Sequence, residues 1–346
     1  MLVNELLKKL VEAPSVSGCE ESIREVMKEE LKPCVDEIKV DKVGNLIARK
    51  GQGHPVIMLA AHMDELGLMV KYIEKEGYIR FETIGGWDER ILPSLKMTIH
   101  GNKGPVTGVI GTRPVHLMEK EESKEPIKAK KLYIDIGAKS DKEVLKAGIS
   151  VGDFITHCGS VEKLIGSRIT GHGFDDRIGC YELIEIVKNL KKFKGTVYAV
   201  GTIQEEIGLI GVRGSAFGIN PDVLIALDVI FSGDTPDIKK EEVSVELGKG
   251  PVLNIKDAMS FVHPKVKAWI SDTAKKNKIP LQYIVSHSGA DDASVGAIIR
   301  EGIPSGAVLT PTRHLHTPIE IVDMNDVNNV IKLMTKAIQD AYRYFK

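Results

Sequence analysis

Residues 55–64 read Pro55-Val56-Ile57-Met58-Leu59-Ala60-Ala61-His62-Met63-Asp64. The first seven are apolar almost without interruption, which suits a strand at the centre of an α/β sheet, covered on both faces. His62 and Asp64 stand two apart at the end of the run, so on extended backbone their side chains leave on the same face. The ends of such strands converge on one crevice, where residues distant in the chain can meet around a ligand.

Upstream, short strands are expected at residues 45–48 and 37–40, joined through Gly44. Before them Ile23, Val26, Met27 and Leu31 recur on a helical face, with Ser17 and Glu20 at capping-box spacing ahead of it. Leu2, Leu6, Leu7 and Leu10 make one face of a further helix. They do not form the apolar core of a signal peptide or a membrane span.

Downstream of Gly67 the texture changes. Strands at residues 68–73 and 78–83 read as a hairpin across Lys75-Glu76-Gly77. More follow at 96–100, 105–110, 132–136 and 153–156, with one short helix near 142–146 and a charged, solvated loop over 117–131. After Thr170 strands and helices alternate again. Helices are expected over 176–190, after Gly211, and over 265–275, 292–300 and 324–344. Strands are expected over 196–203, 223–229, 282–285 and 306–309. This order predicts an α/β fold with a mixed, mostly parallel sheet and helices on both faces. Residues 1–66 and 168–346 form the larger domain, and 67–167 are a small all-β domain inserted into it.

Composition narrows the function. The 346 residues are 42% apolar and 27% charged, ordinary values for a globular chain. With 47 Lys and Arg against 48 Asp and Glu, no basic excess points to nucleic acid. Cys19, Cys34, Cys158 and Cys180 form no C-x-x-C pair and read as isolated thiols, which fits the cytoplasm.

Five short segments carry residue types that bind divalent metal: His62-Met63-Asp64, Asp175-Asp176, Glu205-Glu206, Asp228 and His314-Leu315-His316. Imidazole and carboxylate without thiolate suit zinc, cobalt or manganese. His62 reads as a ligand whose tautomer Asp64 fixes, while Glu65 faces solvent. Asp175 and Asp176 are either helix-capping acids or, in Asp175, a carboxylate bridging two cations, with Asp176 supporting it. Glu205 and Glu206 point opposite ways on extended backbone, so one can face a metal while the other acts as a base. A solvated pair of loop acids is the plainer alternative. Asp228 closes an apolar run, where an ionised carboxylate is costly unless paired or metal-bound. One of His314 and His316 suffices as a ligand. Five ligands, one shared, give each of two metals about three protein contacts and leave a position open for water.

At these residues the chain resembles the M42 family of cytosolic metallo-aminopeptidases, which includes the tetrahedral aminopeptidases of archaea and glutamyl aminopeptidases of bacteria. The resemblance runs nearly end to end. It includes residues 60–67, Asp175-Asp176-Arg177-Ile178-Gly179, Gln204-Glu205-Glu206-Ile207-Gly208, Ala226-Leu227-Asp228-Val229 and His316-Thr317-Pro318. Asp135-Ile136-Gly137-Ala138-Lys139-Ser140 and Gly233-Asp234-Thr235-Pro236 also match family segments. It implies that His62, Asp175 and Asp228 hold one divalent ion, zinc or cobalt, and that Asp175, Glu206 and His316 hold the other. It implies Glu205 as general base, Asp64 as the support of His62, and His316 over His314. It makes the inserted β segment a dimerisation domain, with dimers assembling into a tetrahedral dodecamer. Two departures stand out. His172-Gly173-Phe174 replaces the family's usual Lys-Ala before Asp175, and Ala290-Asp291-Asp292 stands where Thr-Asp-Ala is usual. His172 is expected to be a wall residue.

The expected function is dinuclear hydrolysis of N-terminal residues from short peptides. The rivals are hydrolysis of N-acyl amino acids, a glycosidase using Glu205 with a second acid, and a non-catalytic shell subunit. No cation stands out to hold a substrate's C-terminal carboxylate, so a free N-terminus is the expected requirement.

Overall fold

The computed structural model describes residues 4–117 and 126–345. Leu2 and residues 118–125 of the expected charged loop lie outside these. The chain opens with α1 (Glu5–Glu12) and α2 (Glu21–Leu31), followed by β1 (Glu37–Val40), β2 (Leu46–Gln52) and β3 (Val56–His62). Asn4 caps α1, its side chain accepting the N–H groups of Leu6 and Leu7. The capping box expected for α2 does not form. Ser17 donates its hydroxyl to buried Asp64 (2.6 Å), and Glu20 accepts the N–H groups of Gly18 (2.7 Å) and Gln204 (3.1 Å). A buried carboxylate in need of a donor has outcompeted a helix end that water can serve.

Six strands then close into an antiparallel barrel: β4 (Gly67–Ile73), β5 (Ile79–Ile84), β6 (Lys96–Gly101), β7 (Gly104–Gly111), β8 (Tyr133–Asp135) and β9 (Phe154–His157), with α3 (Asp141–Lys146) between the last two. The barrel has its own core, built around Leu68, Val70, Ile79, Ile99, Ile134 and Ile155.

The larger unit resumes with β10 (Glu162–Lys163), β11 (Arg168–Gly171), α4 (Phe174–Asn189), β12 (Gly195–Thr202), α5 (Ile210–Ile219) and β13 (Val223–Phe231). It ends with β14 (Val252–Lys256), α6 (Pro264–Asn277), β15 (Gln282–Val285), β16 (Ser305–Arg313), β17 (Glu320–Asp323) and α7 (Met324–Asp340). The helix expected at 292–300 is a 3₁₀ turn, Asp292–Ile298, capped by Asp291. Its Gly296 packs so closely on Ser305 that a Cβ there would collide with the serine side chain.

The sheet is mixed, in the order β1-β2-β12-β3-β13-β16-β17-β11-β10, and its central strands β12, β3, β13 and β16 run parallel. Residues of β3 alternate between two cores. Ile57, Leu59 and Ala61 belong to the core around α4, which α1 and α7 also enter, while Met58 and Ala60 meet α5 and the 3₁₀ turn. That double burial is why the strand is apolar at nearly every position. The chain passes from β3 to β12 on one side and from β12 back across β3 to β13 on the other, and a crevice opens at the C-terminal ends of these strands.

Arg177, fully buried on α4, ties the edge of that crevice together. Its guanidinium donates to the carbonyls of Leu10 (2.9 Å), Ala13 (3.0 Å) and Met63 (2.6 Å), to the Ser15 hydroxyl (2.7 Å) and to the Glu65 carboxylate (3.2 Å). Arg177→Met keeps the bulk but leaves Glu65 short of a partner. Removing one half of a buried pair costs about 3–5 kcal/mol, so the urea midpoint should fall accordingly. A loss under about 1 kcal/mol would show that the network is incidental.

Candidate metal centre

His62 is the last residue of β3, and its cross-strand neighbour is Thr202 at the end of β12. Just past Thr202 the chain turns through Gln204, which takes a left-handed φ of 53°, and presents Glu205 and Glu206. Asp228 lies within β13, which continues three residues beyond it. Asp175 sits at the entry to α4, where it and Asp176 depart from helical dihedral angles. His316 follows β16 with a φ of 61°. Left-handed backbone at a non-glycine residue is costly and gathers at functional sites.

The Asp175 carboxylate spans the centre. One oxygen lies 2.9 Å from His62 Nε2 and the other 3.2 Å from His316 Nε2. Asp228 approaches His62 Nε2 to 3.9 Å, and Glu206 approaches His316 Nε2 to 3.9 Å. Two groups result, His62–Asp175–Asp228 and Asp175–Glu206–His316, each with ligand atoms within 4.8 Å of one another. Glu205 belongs to neither, though its carboxylate reaches 4.0 Å from His62 Nε2. His314 is exposed, so of the two C-terminal histidines only His316 joins the cluster.

Each imidazole is oriented from behind by a backbone carbonyl: His62 Nδ1 by that of Asp64 (3.0 Å), His316 Nδ1 by that of Gly86 (2.9 Å). This leaves both Nε2 atoms facing the centre, the arrangement a metal-binding histidine needs. The Asp64 carboxylate is 3.6 Å from His62 Nδ1, too far for a hydrogen bond. It accepts instead the backbone N–H groups of Glu205 (3.0 Å) and Glu206 (3.2 Å), and so anchors the loop that carries both glutamates. Asp176 accepts the N–H of His62 (3.1 Å) and that of Gly179 (2.8 Å). Any side chain at Gly179 would strike that carboxylate and the Leu227 carbonyl.

Two expectations need correction. Glu65 is buried, not solvent-facing. It pairs with Arg177 and accepts from His172 (3.1 Å), which places His172 behind the crevice wall. A cation does line the crevice: Arg213 of α5. Glu320, unremarked in the sequence, is also buried. Its two oxygens accept the N–H groups of His316 (3.0 Å) and Asp175 (3.3 Å), joining two residues of the second group. A lone acid at the start of a short strand gives no sequence signal of this. Of the departing residues, Asp292 is buried and accepts the Thr202 hydroxyl at 2.5 Å, directly behind His62.

The centre is short of positive charge. Burial disfavours a charged His62, yet Glu205, Asp175, Asp64 and Asp228 overcome that and raise it well above the histidine range. His316, despite burial, is pushed up to about 10 by Asp175 and Glu206. Burial and Asp175 push Glu206 up to about 8. Burial drives Glu205 and Asp228 well above the carboxylate range, with Asp228 and Asp175 respectively adding to it. One oxygen of Glu206 is buried without any hydrogen-bond partner. Oxygen and nitrogen donors crowded so closely, with protons taken up to relieve them, fit divalent cations.

Comparison with known proteins returns aminopeptidases. A model of the M42 glutamyl aminopeptidase family matches residues 44–333. The lysyl aminopeptidase of Pyrococcus furiosus is 38% identical, the alignment covering 97% of this chain and 96% of that one. The solved aminopeptidase of the archaeon Desulfurococcus kamchatkensis is 37% identical with a TM-score of 0.93, covering 97% of this chain and 94% of that one. The TET1 peptidase of Pyrococcus horikoshii, described as assembling into a tetrahedron or a large octahedral shell, is 35% identical with a TM-score of 0.87, covering 96% and 98%.

Burial raises the Glu65 carboxyl, but Arg177 and His172 outweigh it and bring it down to about 2 from an ordinary 4.5. Its contribution to stability is therefore complete above 4.5 and is lost as the pH falls from there through 2. Glu65→Gln removes that titration. Between about pH 6 and pH 3 the urea midpoint of the variant should fall less steeply than that of the parent. Parallel slopes would contradict the pairing.

Proposed function

The chain belongs to the M42 glutamyl aminopeptidase family, and on that premise we propose that it is a dinuclear metallo-aminopeptidase that removes N-terminal residues from short peptides. His62, Asp175 and Asp228 would hold one ion, and Asp175, Glu206 and His316 the other, with zinc or cobalt suited to the donor set. The observation that carries the reading is the Asp175 carboxylate, whose two oxygens each face a different histidine. Divalent ions held there supply Lewis acidity, polarising a scissile carbonyl and easing loss of a proton from water.

The remaining work falls to side chains. Glu205 takes a proton from the attacking water and returns it to the leaving amine. The Asp64 carboxylate fixes the backbone from which Glu205 projects. The free α-amine of the peptide docks against the carboxylates of the centre, which makes the enzyme an exopeptidase. Four cysteines without disulfides accord with the cytoplasm, and no described helix is long and apolar enough to cross a membrane. Residues 67–167 are assigned as the dimerisation domain, with dimers building a hollow dodecamer.

Glu205→Gln should keep both metals, read by elemental analysis, while turnover of an aminoacyl-arylamide falls by roughly 10²–10⁴. Glu206→Ala should lose metal as well. Near-normal turnover in the first variant removes Glu205 as base, and turnover that survives a chelator overturns the metal-dependent reading.

Tyr72 and Val109 are exposed apolar side chains on the barrel. If the barrel pairs subunits, Tyr72→Glu combined with Val109→Glu should shrink the particle seen by light scattering. An unchanged mass would put the contacts elsewhere.

A further inference from the structure

The crevice, about 370 Å³ in volume, is lined by Asp175, Glu205, Glu206 and Asp228, by His62 and His316, and by one permanently charged cation, Arg213. The guanidinium is held by backbone carbonyls alone, those of Leu209 (3.1 Å) and Gly208 (3.2 Å), in the loop that follows Glu206. Among the described residues it is in no ion pair. It sits in the first turn of α5, which carries no acidic residue, and a cation at that end of a helix opposes the helix dipole. The residue is exposed, so its charge is not one that the packing of the core demands. The apolar part of the wall, Leu209, Val229, Ile230, Met259 and Leu315, offers it no counter-charge either.

We infer that Arg213 selects substrate by binding a carboxylate of the peptide. The inference rests on the aminopeptidase reading, because two divalent ions would engage the four carboxylates that line the crevice and leave the guanidinium as the lining group available to an anion. The carboxylate comes either from an acidic N-terminal side chain or from the C-terminus of a short peptide. Both present two oxygens to the planar fork of an arginine. The same charge repels a cationic N-terminal side chain, so the preference of the lysyl relative does not carry over despite the identity of 38%.

The test uses the metal-loaded enzyme and two substrate arms. One compares Glu-, Leu- and Lys-p-nitroanilides, which lack a C-terminal carboxylate. The other compares Leu-Gly-Gly with its C-terminal amide, each also in N-acetylated form. In one arm the carboxylate-bearing substrate should be preferred about tenfold in kcat/KM, a discrimination of about 1.4 kcal/mol. R213A should abolish that ratio through KM, R213K should keep part of it, and R213E should turn the anilide preference toward Lys. The arm in which the ratio collapses identifies the source of the carboxylate. A ratio unmoved by R213A in both arms, or no preference in the parent, overturns the assignment. Failure of the parent to cleave any of the three anilides or the free peptide, or equal cleavage of acetylated peptides, overturns the aminopeptidase reading itself and this inference with it.

Discussion

Carboxylates repel one another, and in this crevice they are packed more closely than any purely structural role would favour. Asp175, Glu205, Glu206 and Asp228 share one cavity, with Asp176, Asp292 and Glu320 buried around it. Much of the surrounding architecture answers that repulsion. Backbone N–H groups point at Asp64, Asp176 and Glu320, hydroxyls at Asp64 and Asp292, and two imidazoles lie on either side of Asp175. Such donors stabilise a few negative charges but cannot neutralise them all, and the raised proton affinity of His62, His316, Glu206 and Asp228 reflects the deficit. A site with such a deficit is suited to divalent cations, which deliver more charge in less space.

The supporting structure is organised in layers behind the carboxylates. Asp64 holds the Glu205–Glu206 loop and is itself held by Ser17. Glu65, the next residue, is locked to Arg177, which in turn gathers the carbonyls of Leu10, Ala13 and Met63. The N-terminal segment, the end of β3 and the start of α4 are thereby fixed to one another. Orientation of that kind sets a reacting group to within a fraction of an ångström, which a flexible loop cannot do.

Much of this was legible in the sequence, for physical reasons. The apolar run before His62 announces a doubly covered strand because burial on both faces leaves no room for polar alternation, and β3 bears that out. The five candidate segments were visible because imidazole and carboxylate are conspicuous at the ends of apolar runs. What was not legible depends on contacts between distant residues. Glu65 looks like any turn acid until Arg177, 112 positions away, is brought beside it. Glu320 serves backbone N–H groups, which leave no trace in side-chain pattern. Ser17 and Glu20 carried a valid local capping signal, which lost to the buried Asp64 and to the Gln204 turn. Arg213 was passed over because a lone arginine after a glycine-rich turn resembles ordinary surface.

The barrel is the last case of this kind. It supplies no member of either candidate metal group, yet the segment leaving β5 delivers the Gly86 carbonyl that orients His316. A side chain at Gly86 would crowd that imidazole at 3.1 Å, so the backbone must approach it bare. The neighbouring Trp87 fastens the same turn to the carbonyls of Gly67 and Ile84 (2.9 and 3.1 Å), where β3 hands over to the barrel. Through that bond the inserted unit contributes a backbone acceptor to the second half of the centre. The carbonyl that orients His62 comes instead from Asp64, in the short link between β3 and the barrel.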